Sequence, residues 1–249
     1  MKNILELKNV SLTYHTLKDE ILAVKDLSLT IKEGEFASII GPSGCGKTTI
    51  LSMIANLITP TSGDILIYGE KIKAENLGYM LQKDQLFPWR TIEKNIFLPL
   101  EIKGKKKEQN TQYSLDLLKK YGLFEFRKNY PDQLSGGMRQ RAALIRTLSF
   151  KPDILLLDEP FSALDSQTRL SVSDDVYKIL REENKTAVLV THDISEAIAI
   201  SDVIIVLTSR PATLKAIIRP NLVGSCPIEK RKDKNFALFF DRIWKELHS

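Results

Sequence analysis

The sequence predicts an α/β fold with a mainly parallel central sheet, an antiparallel β subdomain and an α-helical insertion. Short apolar runs rich in Ile, Val and Leu, each bounded by turn residues, have the composition of buried strands. They occupy residues 37–40, 65–68, 154–157, 187–190 and 203–207. Helical patterns separate them, notably at residues 47–57 and 167–183. This alternation of strands and helices favours a largely parallel sheet.

Two regions depart from that alternation. Between residues 4 and 31, apolar and polar residues alternate, which predicts antiparallel strands with one face exposed to water. From about residue 84 to residue 150, the chain is rich in helix-forming residues and has no clear strand run. We therefore expect a helical subdomain, about 84–150, inserted between two halves of the α/β core. Together they would form a single domain that spans residues 1–249.

Length and composition are ordinary for a soluble globular domain. The chain has 249 residues, of which 43% are apolar and 27% are charged. No apolar run approaches the ~18–20 residues that cross a bilayer. Residues 1–8 also lack the apolar segment of a secretory signal. We therefore expect the protein in the cytoplasm, with any membrane contact made through partner proteins.

The formal net charge of +5 has three interpretations. It can reflect a solvated basic surface, a nucleic-acid partner or an anionic membrane face. The basic residues are dispersed and are not interleaved with aromatic residues as in single-strand binders, so we expect no nucleic-acid partner. The two cysteines, Cys45 and Cys226, suggest neither a metal cluster nor a disulfide framework, which fits a reducing compartment.

The first motif with chemical content is a glycine-rich segment that follows a predicted strand and opens a predicted helix. Its glycines let backbone N–H groups point at phosphates, and the helix adds the positive end of its dipole. Lys47 would reach the β- and γ-phosphates, and the Thr48 hydroxyl would ligate Mg²⁺. The alternative is a chance glycine-rich turn, but both pattern and context match a P-loop. The predicted ATP-binding residues here are Gly41, Pro42, Ser43, Gly44, Cys45, Gly46, Lys47, Thr48 and Thr49.

The second motif is an apolar strand that ends in two adjacent acids. Successive side chains at a strand end point in different directions, so Asp158 and Glu159 should have different tasks. Asp158 would hold the Mg²⁺ shell, and Glu159 would polarise the attacking water. Acids often follow buried strands, but after a P-loop at this distance the pattern matches a Walker B site.

A second helix start with the features of an anion site follows in the helical region. Ser135 can cap the helix, and the next two glycines expose backbone N–H groups. For this segment alone, a capped helix without a ligand is the simpler explanation. The other motifs favour a functional interpretation of this segment, because the same chain also holds a P-loop and an acidic strand end. The segment consists of Leu134, Ser135, Gly136, Gly137 and Met138.

Together these motifs resemble the nucleotide-binding subunits of ATP-binding-cassette (ABC) transporters, and the resemblance extends over nearly the whole chain. It implies a P-loop ATPase core, with residues 134–138 as the family signature and Met where Gln is commoner. Tyr14 matches the aromatic residue that stacks on adenine, and Gln82 matches the glutamine that senses Mg²⁺ and the attacking water. Asp165 matches the loop that crosses the dimer interface, and His192 matches the histidine that contacts the γ-phosphate.

Two of these residues have simple structural alternatives. Tyr14 could be an ordinary strand aromatic. A lone histidine such as His192 is usually a surface or core residue. His192 nevertheless follows the predicted strand at residues 187–190, at the end of a sheet that presents ligand-binding groups. That placement and the order of motifs favour the functional interpretation.

The resemblance also implies cofactors and partners. ATP and Mg²⁺ would be the cofactors, with Glu159, His192 and Gln82 as catalytic residues and Thr48, Gln82 and Asp158 around the metal. In this family the signature of one subunit closes over the ATP of the other, which implies a second ATP-binding subunit, expected as a homodimer. Integral membrane permease subunits and a separate solute-binding protein would be further partners. The protein would then be peripheral, on the cytoplasmic side of the cell membrane.

The residues after Gln82 resemble one branch of the family. Residues 86–91, with Pro88 and Trp89, and residues 208–211 are similar to importers that serve nitrate, sulfonates, taurine and related small compounds. Local packing is a second explanation for Pro88 and Trp89. As a rigid, partly exposed knob, they would lie beside the groove that receives a helix of the membrane subunit. The cargo does not follow, because an ATP-hydrolysing subunit does not touch it.

Other classes of ATPase are the alternatives. DNA-repair and chromosome-organising ABC ATPases carry long coiled coils, and this chain has no heptad run of that length. A non-transport cytosolic ABC ATPase of the iron–sulfur assembly type is opposed only by the resemblance around Pro88 and Trp89. A small P-loop kinase would need neither residues 134–138 nor His192.

Two hypotheses concern single features. The chain end, about residues 234–248, predicts an amphipathic helix, which can lie on a membrane but more often packs on its own domain. Cys45 lies beside Lys47 and a helix start, and these neighbours should favour its thiolate. Thiol reagents would then inactivate the enzyme, and ATP would protect it. The alternative, which we favour for physiology, is a small residue that fits the loop and has no regulatory role.

Overall fold

A computed structural model describes residues 2–15, 19–71, 77–105 and 107–248 of the chain. In these residues the strands form two sheets, and helices connect and cover them. The elements are β1 (Asn3–His15), β2 (Glu20–Lys32), β3 (Phe36–Ile40), α1 (Lys47–Ile54), β4 (Ser62–Ile67), β5 (Glu70–Lys71), β6 (Leu77–Met80), α2 (Ile92–Ile102), α3 (Glu108–Lys120), α4 (Gly136–Leu148), β7 (Ile154–Asp158), α5 (Ser166–Glu182), β8 (Thr186–Val190), α6 (Ile194–Ile200), β9 (Val203–Leu207), β10 (Leu214–Ile218), α7 (Pro227–Lys230) and α8 (Phe236–His248).

The larger sheet has the strand order β10-β9-β3-β8-β7-β6. Its pairs are parallel except at the edge, where β10 runs antiparallel to β9. Every residue of β3, β7, β8 and β9 is buried, which explains their largely apolar sequences, because both faces of the sheet are covered. The carboxyl ends of the parallel strands lie along one edge, and this is where an open α/β sheet binds ligands.

The smaller sheet is antiparallel and has the order β2-β1-β4-β5. Buried and exposed residues alternate along much of β2, and Leu27, Leu29 and Ile31 are among the buried ones. These side chains share one hydrophobic cluster with residues of α1 and of the larger sheet. The antiparallel subdomain predicted from the alternating pattern is therefore confirmed.

Helices α2 to α5 pack on a second hydrophobic cluster. Ile96 of α2, Leu118 of α3 and Ile145 of α4 are fully buried there, together with Leu157 of β7. The helical insertion predicted in the middle of the chain is confirmed. Its first helix begins at Ile92, and a loop occupies the preceding residues 81–91.

Some element boundaries differ from the sequence-based prediction. Helix α1 ends at Ile54 rather than at residue 57, and Asn56 adopts a left-handed φ of 58°. The run at residues 65–68 lies largely in β4, a strand of the antiparallel sheet. Strands β6 and β10 were not predicted. In β6, a Cβ atom on Gly78 would lie 2.6 Å from the Thr147 methyl carbon, so close packing requires glycine at this position. The same glycine weakens the strand pattern in the sequence, which is why β6 was missed.

The C-terminal amphipathic helix, α8, packs against its own chain. Ile243 has no exposed surface and lies in a third cluster with Ile198 of α6 and Ile204 of β9. Phe239 and Phe240 are partly buried against the same cluster. Among the residues that the structure describes, no helix combines the length and the apolar character needed to cross a bilayer.

Candidate functional site

The glycine-rich loop connects the end of β3 to the start of α1, as predicted. Gly44 and Gly46 have φ angles of 71° and 121°, values that residues with side chains rarely adopt, so the loop needs glycine at both positions. The largely buried Lys47 donates from Nζ to the carbonyl oxygens of Gly41 and Pro42, each at 2.9 Å. The ammonium group is thereby held against the loop that precedes it.

A hydroxyl and a carboxylate meet beside this loop. Thr48 donates from Oγ1 to Asp158 Oδ1 at 3.1 Å, and the Tyr79 hydroxyl donates to Asp158 Oδ2 at 3.4 Å. Burial raises the pKa of Asp158, while the hydrogen bond from Thr48 acts in the opposite direction. Oxygen donors of this kind suit Mg²⁺. In the described part of the chain, no cluster of three or more His, Cys, Asp or Glu side chains could hold a metal.

Three predicted catalytic side chains converge beyond the ends of β6, β7 and β8. Glu159 Oε2 lies 3.1 Å from His192 Nδ1 and 3.5 Å from Gln82 Nε2. Gln82 also donates to the Ser162 hydroxyl at 3.2 Å. Glu159 has a left-handed φ of 44°, and its N–H donates to the Val190 carbonyl oxygen at 2.9 Å. A carboxylate held between an imidazole and an amide can orient and polarise a water molecule.

An open cavity of about 560 Å³ joins the glycine-rich loop to the smaller sheet. Residues of the loop and of α1 line one side, and Tyr14, Ile21 and Ala23 of β1 and β2 line another. The Tyr14 hydroxyl lies 3.3 Å from Thr49 Oγ1. A cavity of this size can hold a nucleotide, and Tyr14 lies where a purine ring could stack.

The predicted signature segment lies apart from this cavity. Ser135 is the N-cap of α4, and its Oγ accepts a hydrogen bond from the Met138 N–H at 3.3 Å. A Cβ atom on Gly137 would lie 2.9 Å from a Val172 methyl carbon, so α4 packs closely on α5. The described residues that line the cavity include none from 134–138. A single chain therefore does not bring its signature to its own nucleotide cavity.

The exposed residue Asp165 is the N-cap of helix α5. Its Oδ1 accepts a hydrogen bond from the Thr168 N–H at 3.0 Å, and hydrogen bonding by Thr168 lowers the pKa of Asp165. Arg169 donates to the carbonyl oxygen of Leu164 at 3.0 Å. The loop before α5 is thus held at its end by a cap and a side-chain bond, and it presents an ionised carboxylate to the surface.

The prediction of a reactive thiolate at Cys45 is wrong. Only 1% of this residue is exposed, and burial raises the pKa of its thiol, while Lys47 acts less strongly in the opposite direction. A Cβ atom on Gly41 would lie 2.9 Å from Cys45 Sγ, which shows how closely the sulfur fills the space under the loop. The sequence shows that Lys47, which lowers the thiol pKa, is nearby. It does not show the burial of Cys45, whose opposite effect on the pKa is larger.

Two polar side chains at this site were not predicted. Tyr79, which bonds Asp158, lies in the unpredicted strand β6, and burial raises its pKa to about 12. Arg210 lines the cavity and donates to the Gly44 carbonyl oxygen at 3.1 Å. Residues 208–211 were interpreted only as a mark of one family branch. The proximity of Arg210 to the P-loop depends on the pairing of β9 with β3, which no local pattern reveals.

These features define a P-loop nucleotide-binding ATPase: a phosphate-binding loop after a buried parallel strand, an acidic strand end nearby and a cavity of nucleotide size. The profile of the ABC transporter family matches residues 24–162, which is more than half of the chain. The protein therefore belongs to the ABC transporter family, as an ATP-binding cassette that hydrolyses ATP.

Relatives and solved structures agree with this assignment. The uncharacterized ABC transporter ATP-binding protein YtlC of Bacillus subtilis (strain 168) is 49% identical over 251 residues, 99% of this chain and 96% of YtlC. The aliphatic sulfonates import ATP-binding protein SsuB of Bacillus thuringiensis subsp. konkukian (strain 97-27) is 37% identical over 204 residues, 81% of this chain and 80% of SsuB. The dimeric post-hydrolysis structure of the ATP-binding cassette MJ0796 with ADP and Pi has a TM-score of 0.74 and 35% identity, covering 88% of this chain and 100% of that chain.

Proposed function

We propose that the protein is the energy-coupling ATPase subunit of an importer for a small solute, in the branch that serves nitrate, sulfonates and taurine. The proposal of ATP hydrolysis is supported mainly by the contacts of Glu159 with His192 and Gln82 beside the P-loop. The similarity to an aliphatic sulfonates import subunit supports the importer branch. The same subunit would work with a separate solute-binding protein that supplies the cargo.

In this proposal the cavity holds ATP with its adenine on Tyr14 and its phosphates on the P-loop. The loop amides and the start of α1 supply N–H donors, and Lys47 exchanges its present carbonyl partners for the β- and γ-phosphates. This exchange is favourable because a phosphate offers the ammonium group a full negative charge where a carbonyl offers only a dipole.

Thr48, Gln82 and Asp158 would hold Mg²⁺. The hydroxyl of Thr48 and the carboxylate of Asp158 are already within 3.1 Å of each other, so a small cation between them needs little rearrangement. When bound, Mg²⁺ neutralises charge on the phosphates. Gln82, which touches Glu159 as well, connects the metal site to the group that handles the attacking water.

Glu159 would accept the proton of the attacking water, and His192 would contact the γ-phosphate. The contact between the two side chains keeps the base and the phosphate ligand at a fixed separation. Hydrolysis gains from this arrangement because positioning and fixed dipoles provide most of the catalysis in phosphoryl transfer.

A second copy of this chain would complete each site. The amides at the start of α4, capped by Ser135, would close over the ATP bound by the partner, and Asp165 would lie at the interface. The separation of the signature from the cavity within one chain supports this head-to-tail homodimer. ATP would then join the subunits, and hydrolysis would release them.

The loop after Gln82 is the proposed contact with a membrane permease. The rings of Phe87 and Trp89 are 5.0 Å apart, and 71% of Trp89 is exposed. The fully buried Asn95 anchors this loop by donating to the carbonyl oxygens of Phe87 and Arg90, at 3.1 and 2.9 Å. An exposed aromatic pair on an anchored loop suits the binding of a partner helix. The protein would thus be peripheral, on the cytoplasmic side of the membrane.

Affinity purification from the native host tests this proposal. Tagged protein from detergent-solubilised membranes should bring down a polytopic permease. Trp89→Ala should lose the permease and retain nucleotide binding, whereas the control Leu238→Ala, an equally exposed apolar position on α8, should retain both. Recovery of soluble iron–sulfur assembly proteins in place of a membrane protein would favour the non-transport alternative.

A further inference from the structure

The turn between β9 and β10, residues 208–213, is fixed against the nucleotide cavity. Thr208 Oγ1 accepts a hydrogen bond from the Thr213 N–H at 2.9 Å, which closes the turn. The fully buried Ala212 donates from its N–H to the carbonyl oxygen of Ala23 at 2.9 Å. Ala23 itself lines the cavity. The tip of the turn is therefore held next to the nucleotide site by bonds at both of its ends.

Arg210 lies at the tip of this turn and extends over the P-loop. Its guanidinium donates from one terminal nitrogen to the Gly44 carbonyl oxygen at 3.1 Å. The side chain is exposed and lines the same cavity as Lys47 and Tyr14. A guanidinium carries five N–H donors, so the bond to Gly44 leaves donors on the same planar group for a ligand in the cavity.

The charges around the cavity favour a role for a second basic side chain, besides Lys47, in binding a phosphate-containing ligand. Among the described lining residues, Lys47 is the lysine, Arg210 is the arginine, and Glu159 is the carboxylate. A bound Mg²⁺ would balance part of the negative charge of a nucleoside di- or triphosphate. Lys47, which Glu159 offsets, leaves the remainder largely unbalanced. A guanidinium suits phosphate oxygens because its planar fork donates two parallel hydrogen bonds.

We propose that Arg210 is a nucleotide-binding residue that donates to the phosphate chain of ATP and ADP. The inference rests on the ATP site described above and adds a contact from the turn between β9 and β10, outside the P-loop and the other predicted ATP-binding residues. The competing role is a brace, in which Arg210 only shapes the loop by holding the Gly44 carbonyl oxygen. A neutral amide can provide that hydrogen bond, but only a cation can balance phosphate charge.

Nucleotide titration of purified full-length variants distinguishes the two roles. We expect Arg210→Gln to raise the Kd for MgADP about tenfold, and Arg210→Lys to raise it less than about threefold. Neither variant should change the Kd for adenosine, measured by competition. Lys25→Ala is the matched control, because it removes an exposed cation near the turn that does not line the cavity, and it should bind MgADP as the wild type does.

The possible results separate this inference from the ATPase assignment. Wild-type affinity for MgADP in Arg210→Gln would assign the brace role and overturn the proposal. An equal loss of adenosine and MgADP affinity would indicate a contact with the base and would also overturn it. A wild-type protein that binds no MgADP would reject the nucleotide site as a whole, whereas the first two results leave that site intact.

Discussion

Glu159 is the side chain on which we expect the chemistry of this site to depend most directly. It is the carboxylate between His192 and Gln82, and its backbone is tied to the strand that leads to His192. Its left-handed conformation turns the chain at the end of β7. The neighbouring Asp158 continues the strand and points instead to Thr48, so the two acids have separate partners.

Replacement of Glu159 by Gln tests its role as the base. The amide keeps the shape of the side chain but cannot accept a proton, so ATP turnover should fall about 10³-fold while ATP binding remains. Phosphate release and nucleotide titration measure the two properties. Glu246→Gln on α8 is the control and should hydrolyse ATP normally. Turnover within a few-fold of the wild type would reject Glu159 as the principal base.

Glu196 is a buried carboxylate close to His192. Only 5% of it is exposed, and it accepts a hydrogen bond from the Thr191 hydroxyl. Burial raises its pKa from 4.5 to about 7, and the bond from Thr191 acts in the opposite direction. The folded protein therefore binds a proton here more tightly than the unfolded chain does.

Glu196 should make stability depend on pH. Because its pKa is raised on folding, its contribution is fully present below about pH 4.5 and is lost as the pH rises through about 7. The free energy of unfolding of the wild type, relative to Glu196→Gln, should fall by roughly 3 kcal/mol across that window. Urea unfolding at a series of pH values measures this difference. Parallel curves for the two proteins would contradict the assignment.

Among the elements, α8 shows that an amphipathic sequence pattern can be interpreted only when the packing of the helix is known. Its apolar face could serve a membrane or the protein core, and the structure places Ile243 in a cluster with α6 and β9. Trp244, in the next position, is half exposed and stacks with Phe240 and His248 on the helix surface. The helix thus has one docked face and one solvated face.

Truncation of α8 side chains should separate these two faces. Ile243→Ala removes a side chain with no exposed surface and should lower the free energy of unfolding by about 3 kcal/mol. Leu238→Ala is the matched control, since 67% of Leu238 is exposed, and it should change stability by less than ~0.5 kcal/mol. Urea denaturation measures both. Equal, small effects would show that α8 does not dock as described.

For the molecule as a whole, the decisive property is the separation of the two helix starts that are predicted to bind anions. The P-loop and α1 line the nucleotide cavity, whereas Ser135 caps a helix that does not. Both starts have the same backbone chemistry, but only one lies at the carboxyl edge of β3. We therefore expect a complete site to need a second ATP-binding subunit, which we propose is a second copy of this chain.

ATP-dependent association tests this view. Glu159→Gln with ATP and Mg²⁺ should form a dimer, because bound nucleotide accumulates at the interface when hydrolysis is blocked. Adding Ser135→Arg should prevent the dimer, since a bulky side chain replaces the cap at the proposed contact, while each monomer still binds ATP. Sedimentation velocity measures the association. Gln112→Arg, on the exposed side of α3, is the control, and loss of the dimer there as well would contradict a specific interface.

Local patterns were sufficient to predict the fold class, the P-loop, the acidic strand end and the helical insertion. Each of these features depends on the spacing of apolar residues or on turn-forming residues within a short segment. Both can be read directly from the sequence. The motifs also identified Gln82, Glu159 and His192, although they lie far apart along the chain. The order of the motifs, as a family resemblance, was the signal that linked them.

The tertiary structure decided what depends on neighbours from distant segments. Burial in the packed loop raises the pKa of the Cys45 thiol. Tyr79 reaches Asp158 because β6 pairs with β7, and Arg210 reaches Gly44 because β9 lies beside β3. Burial and proximity of this kind arise only when the elements pack together. The sequence alone determined which groups this protein carries, and the packing of its two sheets determined which of those groups meet.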